Sequence, residues 1–220
     1  MAEIIKFGES AEGYNVPVLN EREVRAAAGI LFLATFTSLF YILFRDNFAP
    51  IKYVVTIFFI DFLIRVFINP KFSPSLIIAR LIVRNQTPEY VGAAPKKFAW
   101  TIGLVLSGIM FYFFVIINAY SPVTGIICLV CLLFLFFESA FGICLGCLFY
   151  PLFFRKKAHY CPGGICDVKE KHDIQKTSAA QLLVISAFIV IIFLTFHLMN
   201  GRFNEKPYAM SGTDTAEQTR

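Results

Sequence analysis

Charged residues are scarce in this chain. They make up 16% of the sequence, whereas hydrophobic residues make up 57% and include 26 Phe. A soluble domain with this composition would leave too much apolar surface in water, so an ordinary soluble fold is excluded. We therefore expect lipid to surround much of the protein.

Other patterns are missing as well. The first twenty residues lack the basic start, short apolar core and small-residue cleavage site of a signal peptide, so we expect internal segments to drive membrane insertion. Basic residues do not alternate with aromatic residues along a polar stretch, so no nucleic-acid partner is expected. Of the three His, only His197 lies in an apolar run, which argues against a bis-histidine haem site.

What the sequence does contain is a series of apolar runs suited to crossing a hydrocarbon core of about 30 Å. They cover residues 26–44, 51–68, 98–120, 122–154 and 179–199. The fourth run is longer than a straight span requires. It predicts a tilt or a bend, for which Gly142, Gly146 and Pro151 are the candidate positions.

A shorter amphipathic stretch, residues 75–84, carries Arg80 and Arg84 on its polar face. It predicts a helix along the membrane interface with its arginines toward lipid phosphate. The predicted fold is thus an all-α integral membrane helical bundle: four core transmembrane helices, an interfacial helix and a fifth, C-terminal transmembrane helix.

This fold divides the chain into five parts. In order, they are a polar N-terminal segment, the membrane core, a cytoplasmic Cys/His loop, the fifth transmembrane helix and a polar tail. Their predicted limits are residues 1–19, 20–154, 155–178, 179–200 and 201–220.

Basic residues are distributed unevenly between the two sides of such a bundle. With five spans, one side receives fourteen Lys and Arg and the other receives five. Because loops rich in Lys and Arg stay in the cytoplasm, we expect a cytoplasmic N-terminus, two cytoplasmic long loops and a C-terminus outside.

Three ionisable residues interrupt the apolar runs. Asp61 and Arg65 are four residues apart with the acid first, which predicts an ion pair on one helix face. Such a pair fixes helix packing. Glu138 has two interpretations: a proton acceptor for thiol chemistry, or a buried partner of Arg65.

The six Cys fall into three close pairs. Cys144 and Cys147 form a C-x-x-C six residues after Glu138, and they are the predicted working dithiol, with packing as the alternative. Cys161 and Cys166, in the polar loop beyond, are a candidate exchange pair or idle reduced thiols.

Cys128 and Cys131 lie in a wholly apolar run and are expected to serve as small buried residues. Cys131 is thirteen residues before Cys144, about 20 Å along a continuous helix. Direct exchange between these two pairs is therefore not expected.

Metal binding is a further option. The spacing C-x2-C-x13-C-x4-C from Cys144 to Cys166 loosely resembles a four-thiolate zinc or iron–sulfur site, and His159 and His172 flank Cys161 and Cys166. The first pair is expected within the bilayer and the second spacing is unusual. No metal or other cofactor is therefore assigned.

Several short motifs occur together in this chain. They are EVR at 23–25, DFLIRV at 61–66, NPKFSP at 69–74, PKKFA at 95–99 with Ile102 and Gly103, and ESAFGICLGCLFY at 138–150. In this order they resemble a bacterial integral-membrane family catalogued as domain of unknown function 4395, over about Asn20 to Tyr150. The resemblance implies four spans and, through members linked to thioredoxin-like or rhodanese-like proteins, thiol redox or sulfur handling. It implies no established activity.

The leading functional interpretation is a bacterial inner-membrane protein of thiol–disulfide redox or sulfur relay, with Cys144 and Cys147 as its working pair. Two alternatives stay open: a non-enzymatic accessory subunit of a larger membrane complex, and a transporter of a small solute or sulfur species. Whether the protein is an enzyme is also open. The expected partners are membrane lipid, a thioredoxin-like or rhodanese-like protein, or a larger membrane complex.

Overall fold

The computed structural model of the protein describes residues 7–9, 16–150 and 177–209. It confirms an all-α bundle in which four of the described helices are long and apolar enough to cross a membrane. These are Glu21–Arg45, Ala93–Ile117, Pro122–Phe141 and Ala179–Asn204. Their outer faces expose large apolar side chains, such as Leu43 at 76% and Leu198 at 77%, as expected of surfaces that lipid covers. The expected span over residues 51–68 is not one of these four, because it carries three charged residues, Lys52, Asp61 and Arg65.

In chain order, the helices are α1 (Glu21–Arg45), α2 (Ala49–Leu63), α3 (Pro74–Ile82), α4 (Ala93–Phe111), α5 (Pro122–Phe136), α6 (Leu145–Leu148) and α7 (Ala179–Asn204). π-Helical turns extend α2, α4 and α5 over Ile64–Ile68, Tyr112–Ile117 and Phe137–Phe141. Short strand pairs lie at the two ends of the bundle: β1 (Val18–Asn20) runs antiparallel to β2 (Tyr90–Gly92), and β3 (Ala119–Tyr120) runs parallel to β4 (Tyr208–Ala209).

The start of α1 follows its sequence signature. The side chain of Asn20 accepts a hydrogen bond from the backbone N–H of Arg22 at 3.2 Å and donates one to Glu23 at 3.0 Å. Asn20 is therefore the N-cap, and the acidic first turn also suits the positive end of the helix dipole. This cap fixes where Glu21 and Glu23 enter the bundle.

The break after the second apolar run is built from capping side chains. Asn69 accepts a hydrogen bond from the backbone N–H of Lys71 at 2.9 Å, and Ser73 accepts one from Leu76 at 3.4 Å. Pro74 then occupies the first position of α3, where its missing N–H costs nothing. The chain reverses here, and α3 packs against α1.

The expected orientation of the arginines on α3 is wrong for Arg80. Its side chain is buried and forms ion pairs with Glu23 and Glu9, whereas Arg84 is exposed. The two carboxylates come from the N-terminal part of the chain, and their proximity to α3 is not visible in the local amphipathic pattern.

The fourth apolar run is not one continuous helix. The helix formed by the first part of this run ends at Phe141. Gly142 follows with a left-handed backbone, φ of 66°, which glycine tolerates far better than other residues. The chain then turns back into the short helix α6, which packs against α4. The expected continuation to residue 154 extends beyond the described residues.

Helix α7 is fastened at both ends. Ser178 caps it in a reciprocal capping box with Gln181, whose side chain also donates to the backbone carbonyl of Lys71 at 3.0 Å. At the other end, Lys52 donates to the carbonyl of Glu205 at 2.6 Å. The start of α7 therefore lies at the end of the bundle that holds α3, and its finish lies near the start of α2.

Candidate functional site

Buried charged side chains gather at one end of the bundle, where α1 and α4 begin and where the extensions of α2 and α5 finish. They form three clusters, centred on Arg65, Lys96 and Arg80. Charges buried in this way are costly unless they are paired. Each cluster does pair its cation with at least one carboxylate.

The first cluster joins Asp61 and Arg65, with Nε of Arg65 2.8 Å from Oδ2 of Asp61. The two side chains are almost wholly buried. Ser73 and Ser75, at the start of α3, each donate to the Asp61 carboxylate at 2.7 Å, and Arg65 donates to Ser75 at 2.5 Å. The pair thus holds the start of α3 against the end of α2.

Arg65 also lies over aromatic rings. Its guanidinium carbon is 4.7 Å from the ring centre of Phe62 and 5.0 Å from that of Trp100. Such cation–π contacts help to offset the loss of water around a buried guanidinium. They also fix the side chain at the wall of a cavity described below.

The second cluster is centred on Lys96, in the first turn of α4. Its ammonium is 2.8 Å from a carboxylate oxygen of Glu21 and also donates to Glu138 in the π-helical turn after α5. The expectation that Arg65 is the ion-pair partner of Glu138 is therefore wrong. Arg65 already has Asp61 four residues away, whereas Glu138 is reached by a cation that enters on a different helix.

The third cluster is centred on Arg80, which lies 3.1 Å from Glu23 and 3.3 Å from Glu9. Burial raises the pKa of Glu9 above that of a free glutamate, and the positive charge of Arg80 opposes this effect. The cluster fastens the N-terminal segment to α1 and α3. Among the described residues, the hydrogen-bond and ion-pair partners of the Arg80 side chain are carboxylates and include no cysteine, so we assign the cluster a structural role.

Cys144 and Cys147 form a closed pair at the start of α6. Their sulfurs are in disulfide contact, and their Cα atoms are 5.1 Å apart, within the range that disulfides require. The backbone N–H of Cys147 also lies 3.3 Å from the sulfur of Cys144. Cys147 is 1% exposed, whereas Cys144 is half-buried.

Close packing of α6 against α4 positions this pair. A Cβ added at Gly146 would lie only 2.7 Å from Cβ and 2.9 Å from Cα of Ala99. A glycine is therefore needed for α6 to approach α4 so closely. In the sequence, Cys144 lies two residues before Gly146 and Cys147 lies one residue after it.

A cavity of about 60 Å³ opens beside Cys144. Most of its wall is apolar and aromatic, including Phe62 and Trp100, and its polar lining comes from Arg65 and Glu138 together with two cysteines. This volume has room for a few water-sized groups. A half-buried cysteine that shares a cavity wall with a carboxylate and a guanidinium is an arrangement suited to proton and sulfur chemistry.

The second cysteine in this wall is Cys131, on α5. The expectation of about 20 Å between Cys131 and Cys144 rests on one continuous helix, and it does not apply because the helix ends at Phe141 and the two cysteines line one cavity. Cys128 and Cys131 are free thiols, and both line a smaller cavity of about 30 Å³. Cys131 and Phe58 contribute to both cavities.

Several sequence candidates lie outside the described residues. They are Cys161, Cys166, His159 and His172. Within residues 7–9, 16–150 and 177–209, no group of three or more His, Cys, Asp and Glu has an arrangement that would hold a metal ion.

Sequence reasoning missed Lys96, Glu21 and Trp100 as site residues. The PKK motif at 95–97 is typical of a loop, in which both lysines would be exposed. In the structure Lys96 is buried and only its neighbour Lys97 is exposed. Because α4 begins at Ala93, Lys96 and Lys97 are consecutive helical residues and point in different directions. The start of α4 follows directly on β2, and β2 exists only because residues 90–92 pair with β1, which is distant in sequence.

Comparison with known proteins adds one match. Residues 19–155 match the family described as Domain of unknown function (DUF4395). No curated protein and no solved structure matches the chain. The matched range contains both cysteine pairs described above and all members of the three ion clusters except Glu9, and α7 lies beyond it.

Proposed function

The chain belongs to the family described as Domain of unknown function (DUF4395), and from its geometry we propose that it is a membrane thiol–disulfide exchange protein. The working pair is Cys144 and Cys147. The observation that carries the proposal is the closed contact between the two sulfurs at the wall of a partly polar cavity. A cysteine pair that served only to pack α6 against α4 would have no need of a partly polar cavity beside it.

The two cysteines differ in access, which assigns their roles. A thiolate of a partner dithiol protein attacks Sγ of the half-buried Cys144, the Cys144–Cys147 bond breaks, and Cys147 leaves as a thiolate that takes up a proton. The partner's second thiol then attacks the partner's own sulfur in the mixed disulfide and releases Cys144 as a thiol. The partner is thereby oxidised to a disulfide, and two electrons and two protons reach the Cys144/Cys147 pair.

The buried charges support this chemistry by ordering the site. Glu138 lines the cavity with Cys144 and provides a carboxylate that can hold a proton, while Lys96 fixes its position. Arg65, held by Asp61, places positive charge at the same wall, and nearby positive charge favours a thiolate.

The proposed setting is a bacterial inner membrane with this end of the bundle in the cytoplasm. The distribution of Lys and Arg along the chain supports that orientation. A cytoplasmic thioredoxin-like or rhodanese-like protein would then meet Cys144 directly. A thioredoxin-like partner would deliver two electrons to the closed pair, whereas a rhodanese-like partner would pass the outer sulfur of its persulfide to the Cys144 thiolate of the reduced pair and regain its own thiol.

A stalled exchange reaction tests the proposal. The full chain in lipid nanodiscs is mixed with a reduced thioredoxin whose second active-site cysteine is replaced by Ala, so that any mixed disulfide persists. We expect a covalent complex that peptide mass spectrometry assigns to Cys144, because Cys147 is buried. The Cys144→Ser variant should form none.

Two results would reject the proposal. One is a wild-type Cys144/Cys147 pair that an intact reduced thioredoxin and a persulfide donor both leave unchanged. The other is a covalent complex that persists in the Cys144→Ser variant. A persulfide on Cys144 that forms when the reduced protein meets the persulfide donor, without any mixed disulfide with thioredoxin, would assign the pair to sulfur relay rather than to electron transfer.

One observation favours a second function, that of an accessory subunit. In the most apolar stretch of α7, none of the residues is buried within the chain. Phe196 contacts the ring of Tyr53 on α2, but most of the helix circumference is left to lipid or to helices of another protein. Co-purification of a second membrane protein at fixed stoichiometry, lost when α7 is replaced by a poly-Leu span, would support this function.

A further inference from the structure

We propose that Cys128 and Cys131 form a second dithiol, which exchanges with the Cys144/Cys147 pair across the cavity that both pairs reach. The inference rests on the proposed exchange function and extends it into the membrane. It assigns a chemical role to two cysteines whose apolar surroundings suggest packing alone.

The arrangement of the two cavities carries the inference. The larger cavity is lined by Cys144 and Cys131, and the smaller one by Cys131 and Cys128. Cys131 therefore contributes to the walls of both cavities and shares one wall with Cys144 and the other with Cys128. An ordinary buried cysteine has close-packed neighbours rather than two voids, since protein interiors contain few cavities.

The local structure allows each member of the second pair to react. Cys128 and Cys131 are three residues apart on α5, so their side chains are neighbours on one face of the helix. Both are free thiols, whereas Cys144 and Cys147 form a closed pair. One dithiol and one disulfide that reach the same cavity through Cys131 and Cys144 are the two reactants that an exchange requires.

The exchange takes place in two balanced steps. Cys131 loses its proton and attacks Sγ of Cys144; a Cys131–Cys144 bond forms, the Cys144–Cys147 bond breaks, and Cys147 leaves and is protonated. Cys128 then loses its proton and attacks Sγ of Cys131, which releases Cys144 as a protonated thiol. The second pair is oxidised to a disulfide and the first is reduced, with two electrons and two protons transferred and no other reagent consumed.

Glu138 can hold the proton during this exchange. It lies seven residues after Cys131, close to the same face of the α5 helix and its extension, and it lines the cavity with Cys131 and Cys144. The reverse reaction uses the same atoms. Reducing equivalents received at Cys144 would thus reach Cys128, which lies six residues, or about 9 Å, from the opposite end of α5.

Trapping of the intermediate tests the inference. In a full-length chain with Cys161→Ser and Cys166→Ser, the further changes Cys128→Ser and Cys147→Ser leave only Cys131 and Cys144. Mild oxidation with diamide in nanodiscs should then link these two, as identified by mass spectrometry of the joined peptides. The matched control, Cys131→Ser with Cys147→Ser, leaves Cys128 and Cys144 and should give no internal link.

A second measurement uses the unsubstituted chain, so that the test does not depend on folding of the variants. Limited oxidation of the reduced protein should yield peptides linked through Cys131 and Cys144 beside those linked through Cys144 and Cys147. Absence of the Cys131–Cys144 link in both experiments, or equal linking in the control, would overturn the inference. If wild-type Cys144 still forms its complex with thioredoxin, only this inference is lost and the proposed function stands.

Discussion

Lys96 donates to Glu138 across forty-two residues of sequence and joins the first turn of α4 to the turn that ends the fourth span. The same ammonium is 2.8 Å from Glu21, at the start of α1. One buried cation thus holds three chain segments around the cavity that contains Cys144. Its loss would remove the buried cation that forms ion pairs with both carboxylates.

We therefore expect Lys96→Met to destabilise the protein by about 3–5 kcal/mol, the usual cost of breaking a buried ion pair. The neighbouring Lys97→Met is a matched control, since Lys97 is exposed. It loses a cation–π contact with Phe7, at 5.1 Å from the ring centre, and should change stability by no more than about 1 kcal/mol. Unfolding in mixed micelles, followed by circular dichroism, measures both. Equal effects of the two substitutions would show that Lys96 has no special structural role.

The Asp61–Arg65 pair predicts a non-additive result. Asp61→Leu or Arg65→Leu alone should cost about 3–5 kcal/mol, because each leaves an uncompensated buried charge. The double variant should be more stable than either single one, because it removes both charges at once. Arg84→Leu, at an exposed position of the same end, is the control. A double variant as unstable as the sum of the single ones would contradict this account.

Gly146 predicts a steric effect at the cysteine pair. Gly146→Ala places a Cβ 2.7 Å from Ala99, so α6 must shift, at a cost of about 1–3 kcal/mol. Gly125→Ala, on α5, meets no atom within 4 Å and should be neutral or stabilising by up to about 1 kcal/mol. The Gly146 variant should also react faster with thiol reagents at Cys147, which mass-shift alkylation of the reduced protein detects.

The proposed orientation can be tested from outside the cell. In a cysteine-free background, Thr87→Cys lies in the exposed loop before β2, and Gly201→Cys lies exposed near the end of α7. A membrane-impermeant maleimide added to intact cells should label position 201 and spare position 87 until the cells are lysed. The opposite pattern would place Cys144 outside the cytoplasm and exclude a cytoplasmic partner.

Much of the fold follows from local sequence. The spacing of apolar residues predicts the four long helices, and Asn20, Ser73 and Ser178 mark helix starts because capping depends on side chains a few residues apart. The site depends on longer-range relationships. Glu138 meets Lys96 only after α4 and α5 have packed, and no local pattern encodes that pairing.

The position of Cys144 relative to Cys131 could not be predicted from local sequence either. A single helix over residues 122–154 implies a separation of about 20 Å between Cys131 and Cys144, whereas in the structure the helix ends before Gly142 and both cysteines line one cavity. A glycine followed by a second glycine four residues later did indicate a bend. Its direction could not be predicted, because it is set by the contact of Gly146 with Ala99 on another helix.

The most direct test of the central claim is the redox state of Cys144 and Cys147 in growing cells. Cells are quenched with acid, free thiols are alkylated with a mass-shifting reagent, and the other four Cys are replaced by Ser. We predict a closed pair that opens after a brief pulse of dithiothreitol and closes again, and a Cys147→Ser variant that accumulates a mixed disulfide with another protein. Two thiols that stay reduced throughout, with no mixed disulfide in that variant, would contradict the proposed exchange function.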